Sequence, residues 1–390
     1  MAPSGVAPFR YAFAGMIAMA VAMGIGRFVY TPILPGMMDE IGMSASDAGL
    51  IASANYLGYL LGALVAAGGW AEGHERFLAL SGLGANALLA AAMGLTQELP
   101  VFLAIRFLAG IASAFMMVFL ASIVFSRIAL AGRSDLQAVH FGGVGLGIAT
   151  SALMTGALVM AGADWTAGWF WAAAISAFGF LAVLLLVDGG PAVVGERRRE
   201  PALPRHGPLL RLIVAYGVFG FGYVVTATFL VAIVRQDEGG RLFESAVWLV
   251  TGIAAMPSVY LWSRLAGRTG LATAYAVGCV VEAVGVAASV MVGGHAGPLI
   301  GATLLGGTFV AITALGLQAA RLLAPASPRR VFALMTASFG LGQILGPVVA
   351  GYMADWTGSF FAPSLVAAAG LLVCGTIGWS AGSPEKSPRS

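Results

Sequence analysis

Charge is what this sequence lacks. Only 37 of its 390 residues are Asp, Glu, Lys or Arg, 9% of the chain, where a soluble domain carries about 25%. So few charges cannot cover the surface of a soluble protein, which excludes a soluble globular enzyme. With 59% hydrophobic residues, the chain is no disordered segment either. The net charge of +3 and pI near 9.0 would suit a polyanion, but the charges sit in loops between apolar runs and form no basic patch, so no nucleic-acid partner is expected. Cysteine is almost absent. Cys279 and Cys374 fall within apolar runs and read as small apolar residues with no disulfide role. The four histidines (His74, His140, His206, His295) are scattered, and there is no CxxC, HExxH or glycine-rich phosphate loop. No metal site, cofactor or nucleophilic triad is therefore expected, nor a nucleotide-driven pump.

What the chain has is long apolar runs, with a mean hydropathy of +0.92. A membrane-spanning helix needs about 20 mainly apolar residues. Twelve runs meet this: Tyr11–Gly36, Ala48–Gly69, Phe77–Leu95, Pro100–Phe125, Gln137–Gly162, Ala167–Val187, Leu209–Val234, Glu244–Ala266, Leu271–Gly293, Pro298–Leu323, Val331–Ala354 and Phe361–Ser380. A transmembrane barrel would show short alternating segments instead. The expected fold is thus an all-α polytopic membrane protein in the lipid bilayer. The first run, at about 26 residues, is too long for the apolar region of a cleaved signal peptide and reads as a retained helix. With twelve spans both termini share one side. Placing them in the cytoplasm puts sixteen of the twenty Lys and Arg residues inside, Arg235 and Arg241 outside, and Arg27 and Arg106 within spans. This is a strong positive-inside pattern, and the expected location is the inner (cytoplasmic) membrane with both termini cytoplasmic.

The chain reads as a duplication. One long polar stretch, Asp188–Pro208, divides six spans from six. Ala163-Asp164-Trp165-Thr166 repeats as Ala354-Asp355-Trp356-Thr357 at an offset of 191 residues. Gly24-Ile25-Gly26-Arg27 matches Gly220-Phe221-Gly222-Tyr223 at 196, and Ala71-Glu72 matches Ala266-Gly267 at 195. The expected organisation is an N-terminal six-helix bundle (1–187), a cytoplasmic linker (188–208) and a C-terminal six-helix bundle (209–390). Parallel repeats of this kind are a transporter design, with the substrate site between the halves near the midplane.

Over its whole length the chain resembles the major facilitator superfamily. The loop after span 2, Trp70-Ala71-Glu72-Gly73-His74-Glu75-Arg76, and the loop after span 8, Leu265-Ala266-Gly267-Arg268-Thr269-Gly270, are degenerate forms of that family's gating-loop pattern. The resemblance makes Glu72, Arg76 and Arg268 the gating-loop candidates. Arg106-Phe107-Leu108-Ala109-Gly110 matches the family's span 4 pattern. Gly26-Arg27-Phe28-Val29-Tyr30-Thr31-Pro32, Gly306-Gly307-Thr308-Phe309 and Gly342-Gln343-Ile344-Leu345-Gly346-Pro347 are similar to the bacterial YbfB/YjiJ-type branch. The resemblance implies alternating access, with helices 1, 4, 7 and 10 lining the cavity.

Three ionisable residues lie well inside spans: Arg27, Arg106 and Glu282. Each costs about 2.5–3.5 kcal/mol at a helix centre on insertion scales, so such residues are functional candidates by default. Arg27 and Arg106 fall at similar depth, and spans 1 and 4 carry no acid at that depth. Two planar donor forks without a counter-charge suit a carboxylate or phosphate, so a small organic anion is the expected substrate. The bland alternative for Arg106 is a bond to backbone carbonyls. Glu282, near the middle of span 9, is the proton-coupling candidate or else a helix-packing carboxyl. Tyr30, Asn55, Tyr59, Tyr223, Thr226, Thr308 and Gln343 complete the expected substrate-binding set, each also able to serve in interhelical packing. The glycines of spans 5 and 11 read as sliding or hinge surfaces, or simply as dense packing.

The expected function is a secondary active transporter, acting as a monomer. Within transport, the alternative is an exporter of drug-like amphipathic compounds. Outside it, a membrane-embedded enzyme would need clustered catalytic acids or histidines, and a sensor an added signalling domain. The orientation is testable. In a background lacking Cys279 and Cys374, a cysteine at Arg198 is expected to resist an impermeant thiol reagent in intact cells, and one at Asp237 to react; the opposite pattern reverses the orientation.

Overall fold

The computed structural model describes residues 8–68, 70–188, 200–204, 206–236 and 240–382. Most of the expected linker (189–199 and Arg205), the Asp237 test position and the basic residues Lys386 and Arg389 lie outside the described residues. Among those described, twelve helices are long and apolar enough to cross a membrane: α1 Pro8–Ile41, α2 Ala45–Ala66, α3 Glu75–Met93, α4 Leu99–Leu130, α5 Ser134–Met160, α6 Trp165–Leu186, α7 Gly207–Gln236, α8 Arg241–Thr269, α9 Leu271–Met291, α10 Ala296–Leu323, α11 Pro328–Thr357 and α12 Phe361–Ala381. Each overlaps one expected run. They pack densely within α1–α6 and within α7–α12, and also between these sets where α5 meets α8 and α2 meets α11.

Local chemistry sets the helix ends. Gly42, with φ 67°, takes the left-handed conformation that ends α1, which a residue without Cβ adopts at little cost. Ser44 and Asp47 form a reciprocal capping box at the start of α2. Asp164 caps α6 through the Ala167 N–H, and the Thr166 hydroxyl together with that N–H holds its carboxyl below the usual carboxylate range. The second Ala-Asp-Trp-Thr copy is placed differently: Asp355 lies in the last turn of α11 rather than capping α12. The two tetrapeptides match in sequence but are not equivalent in structure.

Helix α1 is not continuous. It runs as α-helix over Pro8–Met19, widens to a π-helix over Ala20–Ile25, turns irregularly through 26–29 and resumes at Tyr30–Ile41. The break has sequence causes. A Cβ on Gly24 would collide with Gly147 of α5, and one on Gly26 with the Ala22 carbonyl. Pro32, lacking an N–H, suits the first turn of the resumed helix. Glycine also sets the closest approaches between bundles. Gly145 of α5 lies against the Gly252 carbonyl of α8, and Gly49 of α2 against the Pro347 carbonyl of α11. The glycines of α5 and α11 thus form close-packed contact surfaces. Cys279 of α9 and Cys374 of α12 are free, buried and 3.4 Å apart at Sγ, packed as small side chains within one bundle.

Polar contacts between the bundles gather toward the end that carries Asp39. The Thr31 hydroxyl donates to the Ala227 carbonyl (2.7 Å), Ser53 to Ile344 (2.7 Å) and the Trp248 indole to Ser151 (3.1 Å). Arg235 of α7 grips Glu244 at 2.5 and 2.6 Å and reaches across to Asp39 of α1. Asp355 accepts the Ala45 and Ser46 N–H groups at 3.0 Å each. A carboxylate of one bundle thereby caps a helix N-terminus of the other, where unpaired N–H groups and the helix dipole favour an anion. At the opposite end of α11, Glu200 of the 188–208 segment does the same for the Arg329 and Arg330 N–H groups at 3.1 Å.

The Asp39 end is therefore closed by a charged latch. Losing a helix cap costs about 0.5–2 kcal/mol, a change of about 2- to 30-fold in the closed-to-open ratio. With spin labels at Ala161 and Leu242 in a background lacking both cysteines, Asp355→Ala is expected to raise a longer-distance population by that factor. An unchanged distance distribution would show that the cap does not hold this end shut.

Candidate functional site

The break in α1 decides where both buried arginines go. A helix that stops hydrogen-bonding to itself leaves carbonyls exposed, and in a bilayer these need partners from within the protein. Arg106 supplies them: Nη1 donates to the Gly26 carbonyl at 2.8 Å and Nη2 to the Arg27 carbonyl at 3.1 Å. Its guanidinium also lies over the Tyr30 ring, 5.3 Å from the centroid, and near Trp169 at 5.9 Å. The expected match in depth between the two arginines holds. Arg106, however, is occupied with backbone inside the N-terminal bundle, the bland alternative for this residue.

Arg27 points elsewhere. It is buried, and its Nε and Nη2 have no hydrogen-bond partner. The guanidinium lies over Tyr59 at 4.2 Å and Tyr56 at 5.0 Å, both from α2 at i, i+3 spacing. The next residue, Phe28, meets Phe309 of α10 edge-on at 5.6 Å. Phe309 stacks on Tyr223 of α7 (5.8 Å, 12°), which stacks in turn on Phe339 of α11 (5.6 Å, 7°). Gln343 of α11 donates to the Tyr223 hydroxyl at 2.5 Å. Arg27 thus sits beside the contact of the two bundles, with an aromatic wall built by the C-terminal one.

The remaining expected ligands divide. Tyr59, Tyr223 and Gln343 join this neighbourhood. Tyr30 does not: its hydroxyl donates to the Ala48 carbonyl at 3.0 Å and its ring faces Arg106. The i, i+3 rule that put Tyr30 beside Arg27 holds only on a regular helix, and residues 26–29 are not one. Asn55 turns to α4, donating to the Arg106 carbonyl at 3.0 Å. Thr308 donates to the Leu304 and Leu305 carbonyls of its own helix, beside Glu282. Thr226 is buried with an unpartnered hydroxyl, and both Glu282 carboxyl oxygens lack a hydrogen-bond partner. Arg76 is bound within its own bundle, donating to the Val187 and Leu184 carbonyls at 2.7 and 3.0 Å. Glu72 and Arg268 are exposed. None of these three contributes to the latch at the Asp39 end.

Sequence reasoning missed Tyr56, Phe28, Phe309 and Phe339. Tyr56 had a signal, its i, i+3 spacing from Tyr59. The phenylalanines had none, since apolar residues are the background of every span here. A small cleft open to solvent at the Asp39 end is lined by Glu40, Asp164, Trp165, Arg235, Arg241 and Glu244 among others. It holds latch residues and none of the expected ligands.

The comparisons with known proteins agree with this architecture. The chain is 27% identical over 380 residues to a chloramphenicol resistance protein of Streptomyces lividans, covering 92% of this chain and 94% of that one. Its fold is similar to the crystal structure of a point mutant of the nucleoside transporter NupG, with a TM-score of 0.76, 15% identity and coverage of 96% and 100%. It is also similar to a bacterial homologue of the human lysosomal transporter Spinster in an inward-facing, unoccupied conformation, with a TM-score of 0.70, 14% identity and coverage of 97% and 98%. Residues 19–378 match the family described as "Uncharacterised MFS-type transporter YbfB", and the chain belongs to that family of major facilitator transporters.

Proposed function

We propose that this transporter moves a small organic anion across the bacterial inner membrane by alternating access, with Arg27 as the principal anion-binding group. It is no enzyme in this account, works as a monomer, and rocks bundle 1–187 against bundle 209–390 about the 188–208 linker. Both termini are cytoplasmic, so the latched Asp39 end faces outward. One observation carries the anion assignment: Arg27 is a buried guanidinium beside the bundle contact, with Nε and Nη2 unpaired. A buried unpaired charge is costly, and a bound carboxylate or phosphate offsets that cost. The occupied site closes more readily than the empty one, which ties bundle movement to cargo. Tyr56 and Tyr59 support the guanidinium face, and the rings of Phe309, Tyr223 and Phe339 suit the organic part of the ligand. Arg106 acts here as a positioning residue that holds the break in α1.

A second reading, export of drug-like amphipathic compounds, is favoured by the chloramphenicol resistance relative and by the same aromatic wall. Arg27 separates the two. Loss of a buried charge-assisted contact costs about 2–5 kcal/mol, so Arg27→Ala is expected to weaken binding of an anionic ligand about 30- to 4,000-fold. Arg27→Lys should recover part, keeping the charge without the fork. The measurement is equilibrium binding to folded, monodisperse protein, with ligands found by thermal stabilisation across a panel of anions. Undiminished anion binding by Arg27→Ala removes the assignment. A screen that yields only cations or neutral lipophiles transfers the function to the exporter reading.

Proton coupling is proposed through Glu282, a fully buried carboxyl beside Thr308. Glu282→Gln keeps the shape and removes the titratable group. It is expected to abolish pH-driven accumulation in proteoliposomes while preserving ligand binding and exchange. Unchanged pH-driven uptake would assign Glu282 to helix packing.

A further inference from the structure

The chain has only 2 cysteines, and the fold brings both to one point in the C-terminal bundle. Cys279 of α9 and Cys374 of α12 lie 95 positions apart in sequence, yet their Sγ atoms are 3.4 Å apart. Both are free and fully buried. No atom fits between two sulfurs at that distance, so the thiols touch. Glycine on α12 builds the approach. A Cβ at Gly375 would stand 3.2 Å from the Ala276 carbonyl and 3.4 Å from the Cys279 Cβ, and one at Gly378 would collide with the Tyr275 ring at 2.6 Å. The Tyr275 hydroxyl meets Cys374 Sγ at 3.2 Å, which helps hold that sulfur in place. The pair is enclosed by protein but lies just behind the lipid-facing surface. Val280 and Val373, the chain neighbours of the two cysteines, are 44% and 50% exposed.

We infer that Cys279 and Cys374 form a redox dithiol, a site of reversible modification by hydroperoxides. One sulfur attacks the terminal peroxide oxygen. The O–O bond breaks, the thiol proton passes to the leaving oxygen, and a sulfenic acid remains on the sulfur with water or an alcohol released. The second sulfur attacks the sulfenic sulfur, the S–O bond breaks, and the hydroxyl leaves with the second thiol proton as water. Two thiols are thereby oxidised by two electrons and one peroxide bond is reduced. Proximity favours the second step, because the resolving thiol is already in contact with its target. A disulfide forms at about 2 Å between sulfurs, so closure from 3.4 Å asks for a small movement of each side chain. The product is uncharged and needs no added volume, which suits a packed apolar bundle. The buried position narrows the class of oxidant to small or lipid-borne hydroperoxides, which are neutral and can approach through the bilayer face. Neither the transported ligand nor Arg27 takes part.

The test uses the purified, fully reduced, full-length protein in lipid nanodiscs. It is treated with hydrogen peroxide or with cumene hydroperoxide, which partitions into lipid. The protein is then unfolded in an alkylating reagent and its peptides are mapped by mass spectrometry. Both thiols are expected to disappear together, with one Cys279–Cys374 linkage per chain, and dithiothreitol is expected to restore both. Faster linkage by cumene hydroperoxide assigns the oxidant to the membrane; linkage as fast or faster with hydrogen peroxide assigns it to the aqueous phase. Met160, 73% exposed, serves as the internal standard for reagent activity. Two free thiols in protein whose Met160 has become the sulfoxide overturn the inference and return the pair to packing. Oxygen added to either sulfur without the linkage, or linkage only between separate chains, overturns it as well.

Discussion

The arrangement of the N-terminal bundle depends on one interaction, the grip of the Arg106 guanidinium on the Gly26 and Arg27 carbonyls. A helix interrupted in the bilayer is stable only where something inside the protein replaces its lost hydrogen bonds. With that replacement made, residues 26–29 can depart from the regular α-helical hydrogen-bond pattern while Gly26 and Val29 keep right-handed helical backbone angles. The side chains that follow one another there no longer share the helix's angular spacing. Arg27 turns toward α2 and the bundle contact, Tyr30 toward Arg106 and Trp169, and Phe28 toward Phe309.

The same constraint organises charge. In so apolar a chain each buried or half-buried ion needs a local account. Arg235 has carboxylates on two helices, Asp39 and Glu244. Arg76 has the carbonyls at the end of α6. Arg106 has the interrupted carbonyls of α1. Arg27 alone among these keeps two buried N–H groups unpaired beside the contact of the two bundles, and in the proposed function a charge so placed would make closure sensitive to what is bound. Glycine provides the complementary freedom. Where Gly145 faces Gly252 and Gly49 faces Pro347, backbones meet without interlocking side chains. The bundles there are held by caps, hydrogen bonds and ion pairs toward one end, which can release without repacking a core.

Much of the fold was legible because the bilayer imposes a rule that sequence records directly: a span must be long, apolar and helical. The twelve runs and their approximate ends needed no tertiary information. The repeat was legible more weakly. Gly24-Ile25-Gly26-Arg27 against Gly220-Phe221-Gly222-Tyr223 pairs two residues that both reach the bundle contact, whereas Asp164 and Asp355 share a tetrapeptide and cap different helices. At the site, scarcity was the signal. Arg27, Arg106 and Glu282 stood out because charge is expensive at that depth, while Phe309 and Phe339 were invisible because phenylalanine is not.

The sequence by itself determined the fold class, the span count and the short list of buried ions, since these follow from composition and run length summed along the chain. It did not determine which way those ions face. That required the break in α1, the close contact of Gly24 with Gly147 and the reach of Arg106 from α4 to α1, interactions between residues 79 or more positions apart. Regular helical spacing misplaced Tyr30 for the same reason. The break itself has a sequence trace in its glycines and Pro32, but its consequences belong to the partner helix. Tertiary structure therefore decided that Arg106 serves the backbone and Arg27 does not, because a donor's role is set by the acceptors that other helices bring within about 3 Å of it.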